Sequence, residues 1–288
     1  MKPMPPFESA SRLEELSALD PVIDQVRSLA REALSSQELR DLLHGVWKGT
    51  PLHPALTDVT IGAFLSAALL DVLPGNRTAA TMLVLTGVAS AVPTAASGLA
   101  DWLDLEPDQA RVGFVHATLN TAALVLYAAS LGNRVRGRHF TGRLLGFAGL
   151  AVASASAQLG GHLSFRQSAG VSRADTDARD FPGGWQDVAA LDDVPDGLSK
   201  QEAAGTALCV YRRGTDVRVL IDRCAHLSGP LSEGEVIHAD GSDCVVCPWH
   251  GSTFRLDDGA PVHGPATAPA PALRNRVSAG RLEVLLKD

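Results

Sequence analysis

The stretch Thr78–Ala100, TAATMLVLTGVASAVPTAASGLA, is 23 consecutive residues without a charge. A helix crossing a bilayer needs about 20 mostly apolar residues. The same signal recurs on both sides. Gly49–Asn76 carries only Asp58 and Asp71 as charges, and Val112–Asn133 and Leu144–Phe165 are each 22 residues with none. Four such runs in succession predict four membrane spans over residues 49–165, with the lipid bilayer as partner. The runs are rich in Ala, Gly, Ser and Thr, as in Ala89–Ser90–Ala91 and Ala153–Ser154–Ala155–Ser156. Small residues let helices approach closely in lipid, so a tight four-helix bundle is expected. The alternative, a soluble bundle of buried helices, usually shows a polar face.

Residues 1–48 read as short amphipathic helices. Leu13, Leu16, Val26, Leu29, Leu39, Leu42 and Leu43 recur at helical spacing. Ser11 with Glu14 and Ser35 with Glu38 form possible capping boxes, and Asp20–Pro21 is a plausible helix start. Such helices pack on a membrane surface or on the bundle, and Trp47 and Lys48 suit an interface anchor. Residues 1–40 lack the apolar core of a secretory signal.

Beyond the fourth span the composition changes. Residues 166–183 show no apolar period and read as a linker. From Trp185 short β-type runs appear at Ala207–Tyr211, Val217–Ile221, Val245–Val246 and Arg281–Leu286, punctuated by Gly, Pro and Asp. The pattern over residues 184–288 is a small all-β domain. The fold class is therefore multi-domain: an α-helical transmembrane bundle followed by a small all-β domain. The chain carries 25 basic and 32 acidic residues, net −7. Most of the excess lies after residue 173, where an acidic surface excludes a phosphate-binding face and hence nucleic acid as a partner. Four Cys in 288 residues are too few for a disulfide scaffold.

The chemistry is carried by Cys224–Ala225–His226 and, 20 residues later, Cys247–Pro248–Trp249–His250. Two thiolates and two imidazoles suit a tetrahedral zinc or a mixed-ligand [2Fe–2S] cluster. Each knuckle offers one Cys and one His, and each ends in a Gly-containing turn, Ser228–Gly229–Pro230 and Gly251. Zinc fingers usually pair Cys at one knuckle and His at the other. Cys244, three residues before Cys247, keeps the zinc alternative open; the plainer reading is that Cys244 and Cys209 are strand residues.

Cys224–Ala225–His226–Leu227 and Cys247–Pro248–Trp249–His250–Gly251–Ser252 resemble the two boxes of a Rieske [2Fe–2S] domain, and Gly264–Pro265–Ala266 resembles its proline loop. The resemblance covers about residues 184–288. It implies that Cys224 and Cys247 bind the inner iron and His226 and His250 the outer one, with Leu227, Trp249, Ser252, Phe254 and Pro265 around them. In the cytochrome bc subtype a disulfide braces the loops; its partners would fall at Gly229 and Trp249, so it is absent. That subtype also has a Tyr donating to a ligand sulfur, where this chain has Phe254. The Ser hydroxyl aimed at a bridging sulfide survives as Ser252. Trp249 and Phe254 are similar to the ferredoxin-like subtype. Fewer donors to sulfur imply a lower reduction potential.

Leu52–His53–Pro54, Asp58, Asp71, Ser97–Gly98–Leu99–Ala100–Asp101 and Gly160–Gly161–His162–Leu163 resemble a bacterial family of four-span membrane domains of unknown function, over about residues 45–170. That likeness implies a fold and no chemistry. The functional expectation is a membrane-anchored electron-transfer protein of the bacterial cytoplasmic membrane, with redox donor and acceptor proteins or quinone as partners. Two alternatives stand: a redox sensor reporting cluster state to the membrane domain, and a component of a Rieske oxygenase system. The oxygenase itself would need a second iron in a 2-His-1-carboxylate site, and no Asp/Glu-x2-His-x3-4-His run occurs. Four spans put both ends on one side. Positive residues near the two faces tie at five each, and the missing secretion signal favours a cytoplasmic Rieske domain. His53, Asp58, His116 and His162 fall toward one face of an up-down bundle. Ionisable groups in a membrane are functional candidates, here for haem b or a quinone, the plainer reading being interfacial helix ends.

Overall fold

The computed structural model describes residues 5–286. The chain forms two compact units: one holds the chain through Ser35 together with Leu52–Ala169, and the other holds Ser36–Pro51 and the chain from Gly170 onward.

In the first unit, α1 (Pro5–Glu14) and α2 (Asp20–Ala33) come first; α3 (Gln37–His44) belongs to the second unit. The long helices are α4 (Leu52–Val72), α5 (Arg77–Leu103), α6 (Pro107–Val135) and α7 (His139–Gly161), the last running into a π-helical turn at His162–Arg166. Their 21 to 29 residues are long and apolar enough to cross a membrane. At 1.5 Å per residue they reach about 30–45 Å, against a hydrocarbon core of about 30 Å. Val59, Leu65, Leu69, Met82, Val92 and Val125 point outward, which suits lipid rather than water.

The helix ends follow local chemistry. Asp20–Pro21 opens α2, as expected. A capping box of Glu106 and Gln109, with Pro107 at the first turn, opens α6. Two sequence expectations shift. Helix α1 is described over Pro5–Glu14, so Ser11 lies inside it. Ser36, not Ser35, caps α3 by accepting from Leu39 N at 3.3 Å. Helix α2 seals the far end of α5: Arg27 donates to the carbonyls of Trp102 (3.2 Å) and Leu105 (2.6 Å). Trp102 O also accepts from Leu105 N at 3.4 Å, so the arginine adds to the capping of this helix end. Arg111 binds Asp20 through two bonds of 2.7 Å.

The four long helices are two copies of one hairpin. His53, Phe64 and Asp71 on α4 correspond to His116, Tyr127 and Arg134 on α6, each pair 63 positions apart. Gly87, Thr94 and Gly98 on α5 correspond to Gly149, Ser156 and Gly160 on α7, each pair 62 apart. Counterparts meet across the bundle. Phe64 and Tyr127 stack with ring centroids 3.5 Å apart and planes 2° from parallel. Gly87 lets the Phe64 ring lie against α5; a Cβ at Gly149 would come 3.0 Å from the Tyr127 ring. Asp71 and Arg134 form a buried two-bond ion pair, with Nη1 to Oδ1 at 2.9 Å. Arg134 Nε also donates to Ser130 Oγ (3.1 Å), which donates to Gly142 O (2.5 Å).

The second unit is built on two antiparallel sheets. The strands are β1 (Gln186–Ala190), β2 (Gly197–Ala203), β3 (Thr206–Arg213), β4 (Asp216–Ile221), β5 (Glu235–Ala239), β6 (Ser242–Val246), β7 (Thr253–Arg255), β8 (Pro261–His263), β9 (Ala272–Ser278) and β10 (Arg281–Leu286). The larger sheet has the order β1-β10-β9-β4-β3-β2 and the smaller β5-β6-β7-β8. One apolar cluster is centred on Leu208, Val210, Val219, Ile221 and Leu282, and another on Leu220, Leu231, Val245, Phe254 and Leu256. The second cluster contains Cys224 and Cys247, so the core itself carries the site.

The unit boundaries differ from those drawn from the sequence. Ser36–Pro51 leaves the amphipathic segment 1–48 and joins the β unit. Part of the expected linker 166–183 is anchored there too: α8 (Asp175–Asp180) lies in it, Arg173 N donates to Ala225 O (3.0 Å), and Asp177 pairs with Arg223 at 2.7 Å. Both shifts rest on long-range contacts that local composition does not register.

Candidate metal centre

Two loops hold the expected ligands. The first leaves β4 and carries Cys224 and His226. Within it Cys224 N donates to Gly229 O (2.8 Å) and Ser228 N to Cys224 O (3.0 Å), with Ser228 at φ 68°. Asp222 braces the loop by accepting from Ser232 N and Ser232 Oγ, both at 2.7 Å. The second loop joins β6 to β7 and carries Cys247 and His250. Cys247 N donates to Ser252 O (2.8 Å) and Gly251 N to Cys247 O (3.1 Å), with Gly251 at φ 76°. Both Cys therefore sit at the mouth of a tight turn whose N–H groups face the sulfur.

The four side chains form two pairs. Cys224 and Cys247 are both buried and hydrogen-bonded to each other. The Cys224 bond, with the N–H groups of Trp249 and His250, pulls the Cys247 thiol below its usual range. Holding that proton for its partner, and buried, Cys224 is pushed up. The imidazoles of His226 and His250 lie 5.0 Å apart at 89°. Burial, then the neighbouring His250, pushes His226 down to about 3, so it is neutral, as a metal ligand must be. His226 Nδ1 is buried without a hydrogen-bond partner, a lone pair placed for a metal. Among the described residues no three His, Cys, Asp or Glu converge on a single ion. Two thiols on one side and two imidazoles on the other instead fit a two-iron cluster.

The surrounding residues fall as follows. A Cβ on Gly229 would lie 2.8 Å from Cys247 Sγ and 3.1 Å from the Trp249 ring, so those two positions do touch, without a disulfide; all four Cys are free. Ser252 is fully buried, bonds Cys224 through its hydroxyl and accepts from Ala266 N at 3.0 Å. It thereby ties the second box to the loop of Gly264–Pro265–Ala266. Phe254 is fully buried beside both Cys and offers no donor, Leu227 is buried, and Trp249 is 52% exposed. Cys209 and Cys244 are buried strand residues, and Cys244 Sγ donates to Ala239 O and Ser242 O, both at 3.6 Å, at the opposite end of β6. Cys244 thus stands apart from the Cys247 knuckle.

One contributor escaped sequence reasoning. Asp41 of α3 accepts from His263 Nδ1 and from Gly264 N, both at 2.8 Å. A Cβ on Gly264 would come 3.0 Å from His44 and 3.2 Å from Val46. Helix α3 thus clamps the proline loop from a point more than 200 residues earlier. The helix itself was legible from the leucine spacing and the serine cap, but no local signal tied Asp41 to the proline loop; the helix ends at Gly45, φ 87°.

The four membrane candidates do not form one group. His162 Nε2 is taken by Glu14 Oε1 at 2.5 Å, and Asp58 is exposed. His53 and His116 occupy equivalent places in the two hairpins, each bonded to a backbone carbonyl of the next helix.

Residues 184–276 match the Rieske [2Fe-2S] domain and residues 49–173 match a predicted membrane protein family, DUF2231. The chain belongs to the Rieske [2Fe–2S] family and carries the membrane domain ahead of it. It is 34% identical over 102 residues to ferredoxin CarAc of Metapseudomonas resinovorans, covering 35% of this chain and 92% of that one. It is 38% identical over 82 residues to the oxygenase component of chloroacetanilide N-alkylformylase of Rhizorhabdus wittichii, covering 28% of this chain and only 22% of the relative. Among solved structures, the ferredoxin of carbazole 1,9a-dioxygenase from Nocardioides aromaticivorans matches at TM-score 0.32 and 27% identity, over 35% of this chain and 96% of that one.

Proposed function

We propose that the protein is a membrane-anchored one-electron carrier whose Rieske domain works as a built-in ferredoxin. The observation that carries this is the pairing of two buried sulfurs inside and two imidazoles outside, with His226 Nδ1 unpartnered. A [2Fe–2S] cluster held by Cys224, Cys247, His226 and His250 supplies reversible one-electron chemistry. The chain's own residues tune it: N–H groups of both turns and the Ser252 hydroxyl stabilise negative charge on sulfur, while exposed Trp249 beside His250 gives a partner a surface. The relatives are named as ferredoxins and oxygenase components, which supports an oxygenase or a similar redox enzyme as acceptor and a reductase or quinol as donor. We place the Rieske domain on the cytoplasmic face, where a reporter fused after Asp288 that matures only outside the cytoplasm stays dark. Within this reading His53 and His116 are the candidates for a second redox group, haem or quinone. The test is redox-monitored EPR of purified full-length protein with iron and sulfide analysis. The expected result is about two irons and two acid-labile sulfides per chain, with a midpoint in the lower half of the Rieske range of roughly −150 to +300 mV. Stoichiometric zinc in iron-replete protein overturns it.

A further inference from the structure

The internal repeat places two histidines at equivalent positions, and each is held in the same way. His53 Nδ1 lies 2.9 Å from Thr94 O, and His116 Nδ1 lies 2.9 Å from both Ser156 O and Ser156 Oγ, the hydroxyl itself donating to His116 O. A carbonyl oxygen only accepts, so both Nδ1 atoms carry the proton and both Nε2 atoms keep a lone pair. Four residues beyond each carbonyl is a glycine against the ring. A Cβ on Gly98 would come 2.7 Å from His53 Cε1, and one on Gly160 3.1 Å from His116 Cε1. His53 is also an electrostatic neighbour of His116. An imidazole N–H donated to a backbone carbonyl is the usual outer support of a metal-ligating histidine, because it fixes both tautomer and ring orientation.

We infer that His53 and His116 are the two axial ligands of one haem, an iron porphyrin held between the hairpins of the membrane unit. This rests on the reading of the chain as an electron carrier and names the second carrier. Two imidazoles alone leave a bare ion short of ligands, and among the described residues no third His, Cys, Asp or Glu completes a group. A porphyrin brings four equatorial nitrogens and needs only two more. Helical bundles place cofactors in this way, with ligands projecting inward from different helices. His162 spends its Nε2 on Glu14 and its buried Nδ1 has no partner, so it lacks the carbonyl support shared by His53 and His116, and Asp58 is exposed. Asn120, one turn beyond His116 and exposed, donates to its Nε2 at 3.0 Å. That amide turns away when the nitrogen takes iron.

The test is an absorbance titration of cluster-loaded, detergent-solubilised full-length protein with hemin. The expected result is saturation at one haem per chain, with a six-coordinate low-spin spectrum. His53→Ala and His116→Ala each weaken binding more than tenfold, and His162→Ala binds as the wild type does. Circular dichroism in detergent, unchanged in all variants, reports that the helical bundle is folded, and the retained cluster EPR signal that the Rieske unit is. His116→Met still offers a ligand, so it keeps a haem and changes its spectrum. Cluster-loaded wild type that takes no stoichiometric hemin overturns the inference and leaves the Rieske carrier intact. So does a His53→Ala/His116→Ala double variant that binds like the wild type, or a His116→Met spectrum that does not change. Protein that binds hemin in this way but assembles no cluster overturns the carrier reading and leaves this site standing.

Discussion

The membrane unit and the Rieske unit solve opposite problems with opposite residues. In the Rieske unit, β-sheets bury Leu208, Ile221, Leu231, Phe254 and Leu256 away from water, and the polar loops ride on that core. In lipid the same aliphatic residues gain nothing by meeting, so close packing and polar contacts hold the bundle. There Gly87, Gly98, Gly149 and Gly160 admit the rings of the facing helix, and Asp71–Arg134 is the buried bond. The lesson is that an apolar side chain is structural glue in one unit and a solvent-facing surface in the other.

The comparison breaks most completely at the cluster. Cys224→Ser or Cys247→Ser should abolish the EPR signal outright, because either change empties half of the inner sulfur pair. The helical content of the membrane unit should be unchanged, as read by circular dichroism in detergent.

The next effect belongs to the membrane unit. Asp71→Ala strands the Arg134 charge among helices and should cost about 3–5 kcal/mol of stability. Asp71→Leu with Arg134→Met should recover most of that loss, since both charges then leave together. Thermal unfolding in detergent measures it, and an unchanged cluster signal shows that the damage is confined to the bundle.

Acid should act on the metal-depleted Rieske unit alone. His226 titrates near 3 in the folded domain and near 6.5 when unfolded. The unfolded chain therefore takes up the proton first. The contribution to stability is complete above about pH 6.5 and is lost as the pH falls toward 3. Urea unfolding of the apo domain across that window should show the decline, and His226→Gln should flatten it.

The smallest effects sharpen the picture of the site's edge. Phe254→Tyr adds a donor beside the cysteines and should raise the midpoint; one hydrogen bond of about 1 kcal/mol corresponds to about 40 mV for one electron. Asp41→Ala removes two bonds to His263 and Gly264 and should destabilise the domain by about 1–3 kcal/mol while the cluster still assembles. Spectroelectrochemistry reads the first, and chemical unfolding the second.

The four apolar helices and the two Rieske boxes were legible from the sequence because both signals are local. Long uncharged runs follow from bilayer thickness, and Cys–Ala–His with Cys–Pro–Trp–His follows from the reach of a tight turn around iron. The tie between α3 and the proline loop was not legible. Asp41 and His263 are far apart in the chain, and a carboxylate on an amphipathic helix looks like any solvated one. The hairpin repeat was present in the letters at spacings of 63 and 62. It was masked because, among the pairs that mark it, only His53/His116, Gly87/Gly149 and Gly98/Gly160 repeat as the same residue, while other mates are complementary: Asp71 faces Arg134 and Phe64 faces Tyr127. Four intramembrane ionisable residues also looked alike by position. Composition and spacing determined what this chain can bind and where it can reside. Only the tertiary structure decided which polar groups are spent on each other, as Asp71 is on Arg134, and which buried nitrogens go without a partner, as His226 Nδ1 does. Hydrogen-bond partnership is a property of distance, and distance across a bundle is set by packing.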